Sequence, residues 1–461
     1  MAAPNFWQNI KKQEETFVKK KSLYQYIAPN ILAMVGMSCY ILADTFFIAT
    51  SQGTNGITAL NLALPIYGLI FAIGSMIGTG SAIRYTLAKA TDQQEAKKYF
   101  SNALIWDAIV SVIFIAAGLF FPGQVMRVMG ADAVIEAIGI PYIRIVLCFT
   151  PFFMMNYAFT AFVRNDNAPH IAMAATLLSS LFNIVFDYVF MFPLGMGMTG
   201  AALATAVSPI VSILICMVHY LSPKSSVSFH FMVPSVKMLI SSCSLGVVAF
   251  VGEIASAVTT MVFNFVLLAL DGNTAVAAYG VIANTALVGT AIFNGVSQGL
   301  QPLASEAHAK GEAEEKKKIL TKSVLTGIVL TVVLIGGVWI FAPQITDVFN
   351  SEHSEQLAAY AVPGIRIYFA GFFAAAINII FAGFLSATDH AKESSIVAIT
   401  RGIVAIIAFA LILPKFLGIT GVWLAFPAAE VLTLFVALVI SKKTKNLFFF
   451  NVIKIEVNKI A

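Results

Sequence analysis

The hydrophobic positions of this chain gather into twelve blocks, each long enough to be a helix across a hydrocarbon core of about 30 Å, which takes about 20 residues. The blocks cover residues 24–50, 57–83, 99–121, 138–163, 170–192 and 199–221, then 236–270, 274–300, 319–342, 358–386, 394–414 and 419–441. Polar punctuation separates them, as in SQGTNG at 51–56, KATDQQEAKK at 89–98, FPGQ at 121–124 and KGEAEEKKK at 310–318. The pattern predicts an all-α polytopic membrane protein with twelve transmembrane helices.

Composition agrees. Of 461 residues 59% are hydrophobic and 11% charged, against roughly 25% charged in a soluble domain. The net charge of +5 comes from lysines and arginines between the apolar blocks, which reads as a topology signal and not as a nucleic-acid surface. If both termini are cytoplasmic, the N-terminal arm, the even-numbered loops and the tail hold 23 of the 28 basic residues, and the odd-numbered loops only Arg127 and Lys415. Both termini are therefore expected in the cytoplasm. The arm lacks a signal-peptide core with a cleavage site, so the first block is expected to be a retained helix. Cys39, Cys148, Cys216 and Cys243 lie in apolar stretches without metal-ligand spacing and read as packing residues.

The chain also repeats itself. GMTGAALAT at 197–205 returns as GITGVWLAF at 418–426, PYIRIV at 141–146 as PGIRIY at 363–368, and GTGSAIRYTLAKA at 78–90 aligns with QGLQPLASEAHAK at 298–310. All three lie about 220 residues apart. Six spans per half is an even number, so the halves enter the membrane in the same direction, related by a pseudo-two-fold axis along its normal with a site between them. This gives two pseudo-symmetric six-helix lobes, residues 24–221 and 236–441. A cytoplasmic arm (1–23), linker (222–235) and tail (442–461) complete the chain. No soluble module, phosphate-binding P-loop or nucleophile–base constellation is present, so an enzyme is not expected.

Ionisable groups within spans are costly, about 2.5–3.5 kcal/mol each on insertion scales, and call for a function. Tyr40 and Asp44 in span 1, and Asn183 and Asp187 in span 5, each sit four residues apart on one helix face. Thr205 follows in span 6. Two carboxylates meeting in a dry pocket share a proton or hold a cation between them, and Asp44, Asp187, the Asn183 carbonyl and the Thr205 hydroxyl are all hard oxygen ligands. At the repeat offset Asp44 becomes Asn264 and Thr205 becomes Phe426, so this coupling site is expected in one lobe only. The second half offers Glu253, Asn264, Asn284 and a stripe of Asn294, Gln298 and Gln301, among Met261, Phe263 and Phe293, as a lining for amphipathic ligands. Glu430 lies in span 12. Asp107 reads as an interface residue near the start of span 3. The interior charge is mainly acidic, and Arg144 and Arg366, at equivalent repeat positions, read as lobe structure. Pro29 removes a backbone hydrogen bond early in span 1 and is a candidate hinge.

These residues resemble the multidrug and toxic compound extrusion (MATE) family of secondary transporters over nearly the whole chain. The matching stretches include ILADTFFIAT, FVRNDNAP, NIVFDYVFMFPLGMGMTGAALAT, GEIASAVTTMVFNFVLLALDGNTAVAAYGVIANTAL and NGVSQGLQPLASEAHAKG. The resemblance implies two six-helix lobes around a cleft, alternating access, and export of drug-like, often cationic compounds driven by entry of H⁺ or Na⁺. It places Asp44, Asn183, Asp187 and Thr205 at the family's N-lobe cation site, as metal ligands if the ion is Na⁺, with Tyr40 in their hydrogen-bond network and Pro29 at the span-1 bend. Glu253 matches an acidic position found in part of the family, and Tyr188 departs from a common proline. No cofactor beyond the coupling ion is expected, nor a nucleic-acid partner. The expected partners are small amphipathic or cationic molecules and the lipid bilayer, with the chain a monomer in a bacterial inner membrane. The rival reading is a lipid-linked oligosaccharide flippase of similar architecture, which would favour several basic residues in the cleft. A passive channel would bring a repeated pore loop, which is missing.

Overall fold

Every apolar block folds as helix. The computed structural model describes residues 22–89, 91–349 and 354–443, so nearly all of the predicted arm and tail lies outside the described residues. Ten helices are long and apolar enough to span a membrane singly: α1 Tyr24–Gly53, α2 Asn55–Lys89, α3 Gln93–Phe120, α5 Pro169–Met191, α6 Gly197–Tyr220, α7 Val236–Gly272, α8 Thr274–Ala309, α9 Ala313–Ile340, α11 Ala391–Leu417 and α12 Ile419–Lys442. Two bent pairs complete the twelve. They are α4, Ala133–Cys148 with Thr150–Asn165 at 47°, and α10, Glu355–Ala370 with Phe372–Ala387 at 44°.

The helices outrun the apolar blocks. α2 continues to Lys89 and α8 to Ala309, because hydropathy marks the lipid-facing length while backbone hydrogen bonding carries the helix beyond it. At KATDQQEAKK the new helix starts where the Asp92 side chain accepts from the backbone N–H groups of Gln94 and Glu95, capping α3. SQGTNG, expected as a loop, is interrupted at one residue. Gly53 takes φ 63° and ψ −156°, a conformation that L side chains rarely adopt. FPGQ likewise opens a short helix, Pro122–Val128, with proline at its first position.

The duplication is visible in backbone detail. Gly272 repeats Gly53 with φ 69° and ψ −154°, and the short helix Ala342–Phe349 repeats Pro122–Val128. In the G-x-T-G motif the first glycine has positive φ in both copies, Gly197 at 53° and Gly418 at 56°. The second leaves no room for a β-carbon, Gly200 lying on the Phe190 backbone and Gly421 on that of Leu413. The only non-glycine residues with positive φ among those described, Asn167 and Asp389, stand at equivalent turns after α4 and α10.

Each lobe has its own core. Tyr85, Phe100, Phe153 and Phe162 anchor the first, and Phe263, Phe369, Phe372 and Trp423 the second. The start of α1 crosses over, packing Leu23 and Ile27 among C-lobe residues such as Leu300 and Phe381.

Candidate functional site

Asp44 on α1 and Asp187 on α5 meet inside the N-lobe, their carboxyl groups adjacent. Asp187 and Asn183 are fully buried and Asp44 nearly so. Thr205 on α6 closes the group. The Asn183 amide lies 3.2 Å from its hydroxyl, and with the amide oxygen on that side the amide N–H donates to Asp187 Oδ2 at 3.1 Å. One oxygen on each aspartate, Oδ1 in both, has no partner among the described residues. Two carboxylates in contact repel unless a proton or a cation lies between them. Among the described residues no three His, Cys, Asp or Glu side chains converge, so a cation here would rely on amide and hydroxyl oxygens beside the pair. The pair stands nine residues before the Gly53 end of α1, about 13 Å at 1.5 Å per residue.

A cavity of about 340 Å³ lies between the lobes. Tyr40 and Thr205 belong both to its wall and to the surroundings of the aspartate pair, connecting the two. Glu253 is on the wall, where the Tyr157 hydroxyl donates to its Oε1 at 3.3 Å. Asn294, Gln298 and Gln301 all face the cavity, whereas Asn264 and Asn284 are not part of its lining. The aromatic wall includes Phe71, Phe153, Tyr157, Tyr279, Tyr368 and Phe426 beside Tyr40; Met261, Phe263 and Phe293 do not reach it. Phe263 and Phe293 are turned into the cores, and Met261 faces outward from the helix. Tyr368 stacks on Phe426 with centroids 4.2 Å apart. α1 passes through Pro29 with no non-helical residue before Gly53.

Two expectations change, and one pairing is new. Arg164, counted from the sequence as a loop charge, is the second-last residue of α4, 5% exposed, and lines the cavity. Its Nη1 donates to Gln298 Oε1 at 2.8 Å and Asn30 Oδ1 at 3.3 Å, and its Nε has no partner among the described residues. Arg401, on a π-helical turn of α11, also reaches the wall and pairs with buried Glu430 at 2.6 Å. Asn378 donates to the same glutamate at 2.8 Å. The C-lobe thus carries a charge network of its own. Asp107 is no interface residue. It lies fourteen residues into α3, fully buried, with neither oxygen partnered among the described residues.

Tyr67 and Tyr142, close enough to interact electrostatically with both aspartates, were not singled out in the sequence. Nothing in their local pattern marks them, because helix packing alone brings them there. Arg164 carried a signal, standing seven residues after Tyr157 on the same helix face.

The lobes close on each other at the end carrying the start of α1 and the end of α2. Gly80 on α2 meets the Ser242 carbonyl on α7, and Gly246 on α7 meets the Met76 carbonyl on α2, both too closely for a β-carbon. Gly295 and Gly299 on α8 let the α1 backbone approach at Ile31 and Ile27 in the same way. Across this seal Arg84 pairs with Asp389 at 2.8 Å and donates to the Ser241 carbonyl at 3.1 Å.

Against known proteins, the model of the MatE family matches residues 29–189 and 249–412. The multidrug export protein MepA of Staphylococcus saprophyticus subsp. saprophyticus is 25% identical over 438 residues, 94% of this chain and 96% of that protein. MepA of Staphylococcus aureus strain MRSA252 is 25% identical over 423 residues, 91% and 93% of the two chains. A solved structure described as the outward-facing conformation of a multidrug resistance MATE family transporter of the MOP superfamily has TM-score 0.86 at 20% identity, covering 92% of this chain and 96% of that one. At that identity the structural likeness speaks for the fold.

Proposed function

The chain belongs to the MATE family of multi-pass membrane transporters, and from that membership we propose that it exports amphipathic, often cationic compounds by antiport with H⁺ or Na⁺. It is a transporter and not an enzyme. The observation that carries the coupling is the contact between the Asp44 and Asp187 carboxyls, joined to the inter-lobe cavity through Tyr40 and Thr205. A proton or a sodium ion relieves their repulsion, and its departure restores it. A site whose internal repulsion depends on one ion is suited to biasing two arrangements of α1, α5 and α6.

The cycle follows from this. Ion entry at the pair favours a state of low substrate affinity open to the outside, and ion discharge inward resets it. The excess of Lys and Arg beside the seal supports a cytoplasmic location for that end, for the linker and for both termini, in the plasma membrane. The described conformation is then the one closed toward the cytoplasm, with Pro29 near the closed end as the hinge of α1. Glu253, half-buried and held by a single hydroxyl, supports attraction of cationic substrates.

One charge crossing 100 mV supplies about 2.3 kcal/mol, and a tenfold gradient of a neutral substrate requires about 1.4 kcal/mol. A monovalent cationic substrate cancels the electrical part at one-for-one exchange, so it needs a chemical gradient or a second ion. The flippase reading gains little from the cavity arginines, because Arg401 is neutralised by Glu430 and Arg164 alone falls short of the several basic residues that reading favours. The test is efflux of a fluorescent organic cation from proteoliposomes under an imposed proton or sodium gradient. Transport driven by one gradient is expected, and indifference to both would overturn antiport.

A further inference from the structure

Two charges on the cavity wall have no counter-charge. Among the described residues neither Arg164 nor Glu253 forms an ion pair, whereas the other arginine and glutamate of the wall, Arg401 and Glu430, neutralise each other. Among the described residues Arg164 is held only by neutral groups, the Asn30 and Gln298 side-chain oxygens, and its buried Nε has no partner. The nearest carboxylate in sequence does not serve it. Asp166 is taken up by Lys89, His219 and Tyr85 outside the cavity.

A buried arginine kept for structure is normally paired, as Arg401 is. Arg164 instead lines the cavity with only its Nη1 engaged among the described residues, and a guanidinium is the planar cation best suited to hold a carboxylate. Tyr157, Thr160 and Arg164 share one face of α4 and all line the cavity. Because Tyr157 holds Glu253, the two open charges are separated along the helix by the rise of seven residues, about 10 Å.

We infer that Arg164 is a subsite for the anionic group of a zwitterionic substrate, a carboxylate held by the guanidinium while the cationic end of the same molecule faces Glu253. The inference rests on the reading of the cavity as the substrate site. A zwitterion brings both missing counter-charges in one molecule and adds no net charge to the electrical cost of export. A simple cation leaves Arg164 unneutralised.

Rhodamine B, a zwitterion, and its ethyl ester, a cation of the same shape, test this by equilibrium binding to the purified full-length protein. In wild type the free acid is expected to bind at least tenfold more tightly than the ester. That preference is expected to vanish in Arg164→Gln and to return in part in Arg164→Lys. Benzoate is a second probe that needs no variant. It should compete with rhodamine B and not with the ester. Equal affinities of acid and ester in wild type, a preference that survives in Arg164→Gln, or equal competition by benzoate against both would each overturn the subsite. Gradient-driven export of the ester by wild type separates the two readings. If it occurs without a preference for the acid, only the subsite falls; if it is absent, the proposed function falls.

Discussion

The Asp187 carboxyl, fully buried on α5, lies beside that of Asp44 on α1, and among the described residues no basic side chain pairs with either. Replacing one carboxyl by an amide keeps the shape and removes the repulsion that an ion relieves. Asp44→Asn and Asp187→Asn are each expected to lower gradient-driven efflux at least tenfold while substrate binding to the detergent-purified protein stays within about threefold. The double variant is expected to be no worse than either single one, since the two act as a unit. Efflux that keeps its response to the gradient in both single variants would remove the pair from the mechanism.

Among the described residues Glu253 meets the cavity with one hydrogen bond, from Tyr157 at 3.3 Å. Glu253→Gln is expected to weaken binding of a monovalent organic cation about tenfold and of a neutral amphipath by less than twofold. Tyr157→Phe removes one hydrogen bond, worth about 0.5–1.5 kcal/mol, so a smaller effect of about threefold is expected. Equal losses for cation and neutral compound would make Glu253 a packing residue.

Hydropathy reads what faces lipid, so all twelve spans, the repeat and the paired aspartates were legible along the chain. The Asp44 and Asp187 signals were strong because each is a carboxylate inside an apolar block with a polar neighbour one turn away. What faces the cavity is another matter. Arg164 sits where an apolar block ends, and only the course of α4 beyond it decides whether that arginine lies in water or in the interior. Arg401 and Glu430 are 29 positions apart on different helices, and their pairing depends on how α11 crosses α12. The glycines of the seal are equally silent in sequence. Gly80 and Gly246 look like any small residues in a span until the α2–α7 crossing puts Gly80 on the Ser242 backbone and Gly246 on that of Met76.

That crossing gives a prediction about conformation. A side chain at Gly246 collides with the Met76 backbone, which cannot yield as a flexible side chain would. Gly246→Leu is expected to hold the lobes apart at this end. With the four native cysteines replaced, a single cysteine at position 242, fully buried in the closed state, should react with a water-soluble thiol reagent at least tenfold faster in the leucine variant. Unchanged labelling would mean that the seal tolerates the side chain and is not closed by helix contact.

The Arg84–Asp389 pair spans the same seal at 2.8 Å, but both side chains reach solvent, at 20% and 44% exposure. A solvent-screened pair is worth about 0–1 kcal/mol, so Asp389→Asn is expected to raise the labelling rate at position 242 by no more than about fivefold. High salt should have the same effect on wild type and none on the variant. An effect as large as that of Gly246→Leu would show that the ion pair, and not the glycine crossing, closes the lobes.

Asp166, in the turn between α4 and α5, fastens the inter-lobe linker to the N-lobe. It accepts from Tyr85 at 2.7 Å, Lys89 at 2.8 Å, His219 at 2.9 Å and the Ser226 backbone N–H at 2.8 Å. Burial alone would raise its pKa, but hydrogen bonds from His219, Lys89, Ser226 and Tyr85 outweigh that and hold the carboxyl well below the usual range. A folded pKa below the unfolded value of about 3.9 gives stability that is complete above that value and lost as pH falls through the folded one. Wild-type thermal stability should therefore show no contribution from Asp166 titration between pH 8 and pH 5. Asp166→Asn should be destabilised throughout that range, by about 3 kcal/mol for the loss of one member of a buried ion pair. The gap between the two proteins should narrow only below about pH 4, where the Asp166 carboxyl of the unfolded chain begins to pick up its proton while the folded one stays ionised. Melting curves of both proteins across pH 3 to 8 measure this, and a gap that already closes between pH 7 and pH 5 would assign the stabilisation to another group.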